Sequence, residues 1–360
     1  MKFFREAMVF LLLAAVLIGC SDAAEKSSEA VFSEPPSDVL PTELTIAVEV
    51  AIPSPTPTSV PTPAPTAVPT PSPAPTPVPT ETPTPAPTPF TVVWLPDTQQ
   101  LAYFHPDMLE TIGTWIADRI ESNAIACVLH TGDIVDNGYK EWEWENFDRC
   151  LNRFSDLVPF VPVAGNHDIG VRTANYSGYL KRGFLDAFPN DQKFEGGKML
   201  YTVLEAGGER FLLLGIGWDC GKTKPEKEWI DDVMTRYADL PCIFFTHGYL
   251  TNQKRILPSC RYLEQTVTSK YPNVFLVLSG HSRDYYSEAF SYDDDQDGTA
   301  DRIVHAMMLN KQGADYCFRL LTFDPVTHSV EVQTIALGEE TILQEDASLG
   351  PINFTIEHAY

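Results

Sequence analysis

Five short apolar segments, each ending in a polar cluster, constrain the fold of this 360-residue chain more than any other feature. In chain order they are FTVVWLPDTQ (90–99), AIACVLHTGDIVD (124–136), FVPVAGNHD (160–168), CIFFTHG (242–248) and NVFLVLSGH (273–281). Near-continuous apolar character over about four to eight residues is typical of strands that are buried on both faces. The segments therefore predict five buried strands.

Helical patterns separate these segments. Apolar residues repeat at helical spacing within 108–120 and 144–154, and Pro225 opens a third pattern that runs to Tyr237. The aromatic residues of these patterns are interpreted as core. Alternating buried strands and amphipathic helices predict a layered α/β fold, in which ligands gather at the carboxyl ends of the strands.

The polar clusters at these strand ends carry metal-type ligands. Asp97, Asp133, Asn166, His247 and His281 provide carboxylate, amide and imidazole groups, a set that suits manganese, iron or zinc. Any one of them alone would be read as a helix cap, a turn residue or a structural histidine. Five at five predicted strand ends favour one shared site.

The motifs around these residues resemble those of the calcineurin-like metallophosphoesterases. After Asp97 they are GDIVD (132–136), GNHD (165–168), THG (246–248) and GH (280–281). The resemblance covers roughly residues 90–335, where LNKQG (309–313) and RLLTFDP (319–325) are similar to the C-terminal part of one bacterial branch. It implies a four-layer α/β/β/α sandwich and hydrolysis of a phosphomonoester or phosphodiester by metal-activated hydroxide.

The resemblance also implies a role for each matching residue. Asp97 is expected to hold the first metal, and Asp133 to bridge both metals. The second metal's ligands are completed by Asn166, His247 and His281. His167 is expected beside the scissile phosphate as general acid or transition-state stabiliser, oriented by Asp168. Such a pair of cations, about 3.5 to 4 Å apart, activates water and clamps the phosphoryl group.

Two positions depart from the family pattern, and both concern the first metal. Gln99 stands where a histidine is usual, and it still offers a neutral amide oxygen. Arg283 stands where the second histidine of Gly-His-x-His is usual, and a guanidinium has no free lone pair for a metal. The expected cofactors are two divalent ions (manganese, iron or zinc), with the first site weak or empty.

Three consequences of these departures stay open. The first metal binds weakly through Asp97, Gln99 and Asp133, and the enzyme works with two metals. Alternatively, Arg283 holds a phosphate oxygen while a single metal activates water, or catalysis is lost and the protein binds a phosphate ligand. Hydrolysis is the favoured interpretation. The alternative for Arg283 is a surface side chain that points away from the site and has no functional role. Asp136 is interpreted as a partner of the site or a helix cap.

The amino terminus has the layout of an export signal. Lys2 and Arg5 precede an apolar run over residues 7–18, which is too short to span a bilayer. The run ends in Leu-Ile-Gly followed by Cys20, which resembles the lipobox of bacterial lipoproteins. It implies a signal peptide over 1–20, a lipid anchor on Cys20 and a place in the bacterial cell envelope or at the cell surface. An ordinary signal or membrane-anchoring helix is the alternative.

A proline-rich segment follows. Residues 53–89 contain 16 prolines in 37 positions and one charge, Glu81. Such a chain favours polyproline II and reaches on the order of 110 Å at ~3.1 Å per residue. We expect a disordered stalk over 21–89, a phosphoesterase domain over 90–337 and a C-terminal extension over 338–360 that adds an edge strand or lies across the domain. A docking ligand for proline-binding modules is the alternative to the stalk.

Charge limits the partners. The net charge is −24, and residues 90–360 hold 22 Lys and Arg against 40 Asp and Glu. Such a surface repels nucleic acid and anionic lipid, so a phosphate substrate needs a local positive centre such as bound metal. We expect a small phosphate ester as substrate, no nucleic-acid binding, and membrane contact through Cys20 alone. The sequence leaves the oligomeric state open.

Two further features invite specific predictions. Cys220 and Cys260 lie in loop-like sequence and are predicted to form a disulfide, as an exported protein permits. Residues 293–298 imitate the start of a calcium loop, but the twelfth position is Val304 instead of glutamate. A polar hairpin turn between two strands is favoured over a calcium site. No G-x-S-x-G run suggests a serine hydrolase.

Overall fold

The computed structural model describes residues 86–171, 173–253, 255–313, 316–336 and 351–360. The predicted signal peptide, the lipidated Cys20 and the stalk up to residue 85 lie outside the described residues, as does 337–350 of the tail. None of the helices within the described ranges combines the length and apolarity that crossing a membrane requires.

The first sheet has six strands in the part of the chain that the structure describes. Their order is β15 (Phe354–Ile356), β14 (Ser329–Ala336), β13 (Cys317–Asp324), β1 (Phe90–Leu95), β2 (Ile125–His130) and β3 (Phe160–Pro162). β1, β2 and β3 run parallel, whereas β13 pairs with β1 antiparallel. The carboxyl ends of the three parallel strands therefore meet at one edge.

The second sheet has seven strands by the same measure. Their order is β11 (Asp284–Tyr292), β12 (Arg302–Asn310), β10 (Val274–Ser279), β7 (Cys242–Thr246), β6 (Glu209–Ile216), β5 (Met199–Ala206) and β4 (Lys193–Phe194). The four strands β12, β10, β7 and β6 are mutually parallel. A separate small ribbon pairs β8 (Leu250–Thr251) with β9 (Arg255–Ile256).

Helices connect the strands and begin where the sequence favours it. They are α1 (Gln99–Phe104), α2 (Pro106–Ala117), α3 (Glu141–Leu151), α4 (Ser177–Leu180), α5 (Lys224–Arg236) and α6 (Arg261–Leu263). Short 3-10 turns cover Gly183–Ala187, Asn190–Gln192 and Pro258–Cys260, and a π-helical turn covers Glu264–Thr268. α5 starts with a capping box, in which Thr223 and Glu226 satisfy each other's backbone N–H.

The two sheets pack face to face with helices outside them. Phe211 of β6 lies 5.4 Å from Phe323 of β13, measured between ring centroids. On the outer side of the first sheet, Trp115 of α2 packs edge-on against Phe318 at 5.1 Å. Trp229 of α5 covers the second sheet at β5. The predicted four-layer α/β/β/α sandwich is confirmed.

Most of the predicted elements are present. The five apolar segments form β1, β2, β3, β7 and β10, and the three helical patterns form α2, α3 and α5. In the tail, β15 adds an edge strand to the first sheet. The acidic segment connects β11 to β12 as a hairpin, and Asp293 accepts hydrogen bonds from the backbone N–H of Asp297 and Gly298.

The disulfide prediction is wrong. Cys220 and Cys260 are both buried, and neither of them forms a disulfide. The thiol of Cys220 lies 3.1 Å from the hydroxyl of Tyr176, and that of Cys260 lies 3.8 Å from the hydroxyl of Ser259. Both sulfurs therefore pack as small core groups with polar neighbours of their own.

Candidate metal centre

Four ligand atoms from both sheets meet in one place. The Oδ1 atom of Asn166 lies 3.0 Å from Nε2 of His247 and 2.9 Å from Nδ1 of His281. The Nε2 atom of His247 is also 3.2 Å from Oδ2 of Asp133 and 3.2 Å from Nδ1 of His281. The residues predicted for the second metal therefore converge.

The chemistry of these atoms fits a cation. Nδ1 of His247 lies 2.9 Å from the carbonyl oxygen of Thr131, so this nitrogen carries a hydrogen and donates it. In the neutral ring Nε2 then presents a lone pair, and it faces the lone pairs of Asp133 and Asn166. Such atoms repel one another unless a positive charge lies among them. A mixed oxygen and nitrogen set of this kind suits a divalent transition metal.

The pKa shifts of the clustered side chains also indicate that a positive charge is favoured among them. Although burial lowers it, the charges of Asp133 and Asp97 raise the pKa of His247 to about 9. Burial would raise the pKa of Asp133, but His247 and His167 bring it below its usual value. Burial and the nearby His247 lower the pKa of His281 to about 4. The carboxylates of Asp133 and Asp97 thus favour a positive charge at His247.

Glycines let the ligands approach neighbouring backbone. A Cβ atom on Gly165 would lie 2.2 Å from Oδ1 of Asp133, and one on Gly280 would lie 2.0 Å from Oδ1 of Asp97. Gly132 has φ +88°, and its Cβ would meet the backbone nitrogen of Gly165 at 2.5 Å. These three positions require glycine because each carboxylate or backbone segment rests where a side chain would begin.

The first-metal half is arranged differently. Both carboxylate oxygens of Asp97 accept from the backbone N–H of His281, at 3.2 and 3.1 Å, and Oδ2 also accepts from Nδ2 of Asn310 at 2.8 Å. Burial raises the pKa of Asp97 well above its usual value. Asn310 ends β12 and was not predicted as a site residue. Its signal is the one used for the other ligands, a polar residue at the end of an apolar strand.

Gln99 fits a ligand role, whereas Arg283 is exposed. The Oε1 atom of Gln99 is buried and has no hydrogen-bond partner among the described residues. Its backbone N–H donates to the carbonyl oxygen of Asp133 at 2.9 Å, which ties the two motifs together. A bound cation would satisfy this oxygen. The carboxylate of Asp284, the residue after Arg283, pairs with the ammonium group of Lys311 at 2.7 Å.

His167 is oriented by Asp136. Its Nδ1 atom lies 2.9 Å from the backbone oxygen of Asp136 and 3.0 Å from Oδ1 of the same residue. Because both neighbours are acceptors, Nδ1 carries a hydrogen and donates it, which leaves Nε2 for a ligand. The backbone N–H of His167 donates to Oδ1 of Asp133 at 2.9 Å. Asp136 is thus a partner of the site, since α3 has Lys140 at its N-cap.

The prediction that Asp168 orients His167 is wrong. The carboxylate of Asp168 is buried and accepts from the backbone N–H of Gly165 at 2.7 Å and of Val135 at 2.9 Å. Burial and then the charge of Asp133 raise the pKa of Asp168 to about 7. Asp168 therefore joins the two ligand-bearing loops.

Trp218 was missed by sequence reasoning. It follows β6, and its ring lies 4.6 Å from that of His281 and 5.4 Å from that of His247. Its backbone N–H donates to the carbonyl oxygen of Ala164 at 2.8 Å. Trp218 therefore supports both histidines from one side, and it too stands just beyond the carboxyl end of an apolar strand.

His130 at the end of β2 was missed as well. Nδ1 accepts the backbone N–H of Gly132 at 3.1 Å, so Nε2 carries the hydrogen and donates to the hydroxyl of Thr98 at 3.0 Å. That hydroxyl donates in turn to the carbonyl oxygen of Ile134 at 2.9 Å. Burial lowers the pKa of His130 to about 3, so the ring is neutral and acts as a structural support.

Sequence comparisons agree with this geometry. A family model described as calcineurin-like phosphoesterase matches residues 90–285. The uncharacterized protein YvnB of Bacillus subtilis (strain 168) is 32% identical over 256 residues, which are 68% of this chain and 20% of that protein. Purple acid phosphatase 15 of Arabidopsis thaliana is 23% identical over 138 residues, 36% of this chain and 25% of that protein. The chain thus spans about a fifth to a quarter of these relatives.

A solved structure shares the fold. The purple acid phosphatase PPD1 from yellow lupin (Lupinus luteus) seeds superimposes with a TM-score of 0.54 at 16% sequence identity. The match covers 77% of this chain and 55% of the lupin protein. At this identity the similarity concerns the arrangement of sheets and helices.

Proposed function

The chain belongs to the calcineurin-like phosphoesterase family, and from this premise we propose that it hydrolyses a small phosphate ester, a monoester or a diester, with divalent metal ions. The relatives named as purple acid phosphatases support this reaction class. The family and the candidate ligands support divalent metals, whose number and identity are part of the proposal.

The observation that carries the proposal is the four-way convergence of Asp133, Asn166, His247 and His281. These residues would hold one ion, and Asp97 with Gln99 would hold a second beside it. A divalent cation in such a site lowers the pKa of water and polarises the phosphoryl oxygens.

His167 supplies the protein's own chemistry. Asp136 holds its Nδ1–H, so Nε2 is the atom available to a phosphate oxygen or to the leaving group. An imidazolium in this position donates the Nε2 proton to the leaving oxygen as the P–O bond breaks, and it keeps Nδ1–H toward Asp136. His167 is therefore proposed as the general acid or as a stabiliser of charge on the phosphoryl group.

A second candidate function is phosphate binding with a single metal and without turnover. One observation favours it: three N–H contacts already occupy the carboxylate of Asp97. In a variant of the hydrolase proposal, the exposed Arg283 replaces the first metal's charge by holding a phosphate oxygen.

We also propose that the protein is exported and held in a bacterial envelope through Cys20. The support is the sequence pattern of residues 1–20, which lie outside the described residues. The acidic composition supports a small substrate over nucleic acid.

The test is to purify the full chain, remove metal with a chelator and restore manganese, iron or zinc in turn. Metals per chain are counted while p-nitrophenyl phosphate and bis-p-nitrophenyl phosphate are assayed. Turnover that disappears with the metal and returns with it supports the hydrolase. Binding of inorganic phosphate by a metal-loaded protein that cleaves neither ester would support the second candidate.

A further inference from the structure

Glu143 is a buried carboxylate that the proposed function does not use. It lies in the first turn of α3, and its side chain is fully buried. Oε2 accepts the backbone N–H of Asn137 at 2.8 Å, and Oε1 accepts from Nδ2 of Asn137 at 2.8 Å. The ammonium group of Lys140 lies 3.6 Å from Oε1. Glu143 therefore accepts hydrogen bonds from both the backbone and the side chain of Asn137.

Asn137 links Glu143 to Asp136, the partner of His167. Its Nδ2 group also donates to Oδ2 of Asp136 at 3.0 Å. The other oxygen of Asp136, Oδ1, lies 3.0 Å from Nδ1 of His167. An unbroken chain of contacts thus runs from a helix in the outer layer to the imidazole, through one amide and two carboxylates.

We propose that Glu143 and Asn137 are positioning residues that fix the orientation of His167 through Asp136. The proposal rests on the proposed function, in which His167 touches the substrate.

The exposure of Asp136 shows why such a device is useful. Its side chain is 35% exposed, and an unheld carboxylate at this exposure would sample several rotamers. A bond from Asn137 to one oxygen leaves the other oxygen facing His167. Asn137 can hold Asp136 only if its own amide is fixed. Glu143 holds the Nδ2 group of this amide from the buried side, and the hydroxyl of Tyr139 donates to its Oδ1 at 3.2 Å.

The same turn of α3 holds the loop on its other side. The indole N–H of Trp144 donates to the carbonyl oxygen of Gly138 at 2.9 Å, and the N–H of Gly138 donates to the carbonyl oxygen of His167 at 3.1 Å. A Cβ atom on Gly138 would lie 1.7 Å from the backbone oxygen of Asp168. The loop with Asp136 and the loop with His167 are therefore in direct backbone contact.

The test compares Glu143→Gln with Glu145→Gln. The first change keeps the side-chain volume but brings an NH₂ group against the donors of Asn137, whereas Glu145 is an exposed carboxylate two residues along the same helix. If His167 acts as the general acid of the proposed function, Glu143→Gln should lower kcat about 10- to 100-fold on phenyl phosphate, whose leaving group needs a proton. The loss on 2,4-dinitrophenyl phosphate, whose leaving group needs no proton, should stay under about threefold, with KM unchanged. A purely structural role would lower both rates alike.

A paired exchange separates positioning from folding. In Asn137→Asp with Glu143→Gln, the amide and the carboxylate change places, so residues 137 and 143 can bond again. The aspartate introduced at position 137 has no hydrogen to give to Asp136, however. We expect the unfolding midpoint to recover toward the wild-type value while the rate on phenyl phosphate stays low. Recovery of that rate along with stability would overturn the proposal.

A readout without turnover keeps this inference distinct from the proposed function. In ¹⁵N-labelled full-length protein, the Nδ1–H resonance of His167, assigned with His167→Asn, should be visible in the wild type and in Glu145→Gln. It should shift and broaden in Glu143→Gln, because the carboxylate of Asp136 is released while the backbone oxygen of Asp136 remains as an acceptor. An unchanged resonance in Glu143→Gln sinks the positioning role whether or not any ester is cleaved. Failure of the wild type to cleave any ester sinks the proposed function instead.

Discussion

The two halves of the candidate metal centre differ in how the lone pairs of their buried ligand atoms are satisfied. In one half, Asp133, Asn166, His247 and His281 bring unlike ligand atoms within about 3 Å of one another, and a positive charge is needed among them. In the other half, N–H groups of His281 and Asn310 already surround the carboxylate of Asp97.

The difference teaches where affinity for a cation comes from. A carboxylate whose lone pairs accept hydrogen bonds is satisfied without a metal, so a metal gains less by joining it. Lone pairs that are held close together without hydrogen-bond donors gain the most from a bound cation. Both departures from the family's motifs, Gln99 and Arg283, fall in the half that contains Asp97, where the buried Oε1 of Gln99 is the one acceptor described above without a hydrogen-bond partner among the described residues. We therefore expect one tight metal and one weak metal.

Asp133 is proposed to serve both halves, and its replacement should have the largest effect. Asp133→Asn would remove the charge that both ions are proposed to share, so we expect kcat on p-nitrophenyl phosphate to fall by at least about 10³-fold. Asp118→Asn makes the same chemical change at an exposed position beyond α2 and should leave kcat unaltered. Activity within tenfold of wild type would show that the halves do not depend on a shared ligand.

The halves should separate when one ligand is removed from each. His247→Gln should weaken the tight metal at least about 100-fold, since changes even to the partners of ligands cost about 10- to 100-fold. Gln99→Ala should weaken only the second equivalent. Both effects can be read from competition with a chelator of known affinity. If the two variants alter the same binding phase, the division into a tight and a weak half is wrong.

Protons should compete with metal in the tight half. The raised pKa of His247, about 9, means that its protonated ring stabilises the metal-free fold below its ordinary pKa of 6.5. That contribution is lost as pH rises through about 9. A metal must displace this proton, so its affinity should fall about tenfold for each pH unit below 9. Chelator competition at about pH 6, 7 and 8 measures the slope, and His247→Gln should flatten it; an equal slope in both proteins would exclude His247 as the competing group.

The smallest expected effect is a gain in the weak half. Gln99→His with Arg283→His supplies two imidazoles where the family pattern has them. We expect the second equivalent to bind about tenfold more tightly, at the low end of the effects of altered ligand surroundings. The tight equivalent should not change, and Arg255→His, at another exposed arginine, should change neither. No gain would mean that the low affinity for the second metal comes from the conformation of the ligand-bearing loops and not from the identity of residues 99 and 283.

The ligands could be predicted because they depend on local pattern. An apolar run that ends in a polar residue marks the carboxyl end of a buried strand, and parallel strands bring such ends together without further information. Asn310 and Trp218 obey the same rule at the ends of β12 and β6, but their directions depend on which strands become neighbours. Single-sequence reasoning does not fix that order.

The partner of His167 could not be predicted for a related reason. Asp168 is adjacent in sequence, yet its carboxylate turns toward Gly165 and Val135. Asp136 lies 31 residues away and reaches the imidazole because two loops touch. Contacts across loops depend on backbone geometry that neither periodicity nor spacing encodes, and the link from Glu143 through Asn137 belongs to the same class.

The burial of the cysteines has a practical consequence for labelling. Burial raises the pKa of the Cys127 and Cys150 thiols to about 12 and that of Cys220 and Cys260 to about 11. Alkylating dyes and spin labels react with the thiolate, which is scarce at these sites near neutral pH. A cysteine introduced at exposed position 145 would therefore react far faster than these core thiols. A probe there would report on the first turns of α3 while the native sulfur atoms stay in place.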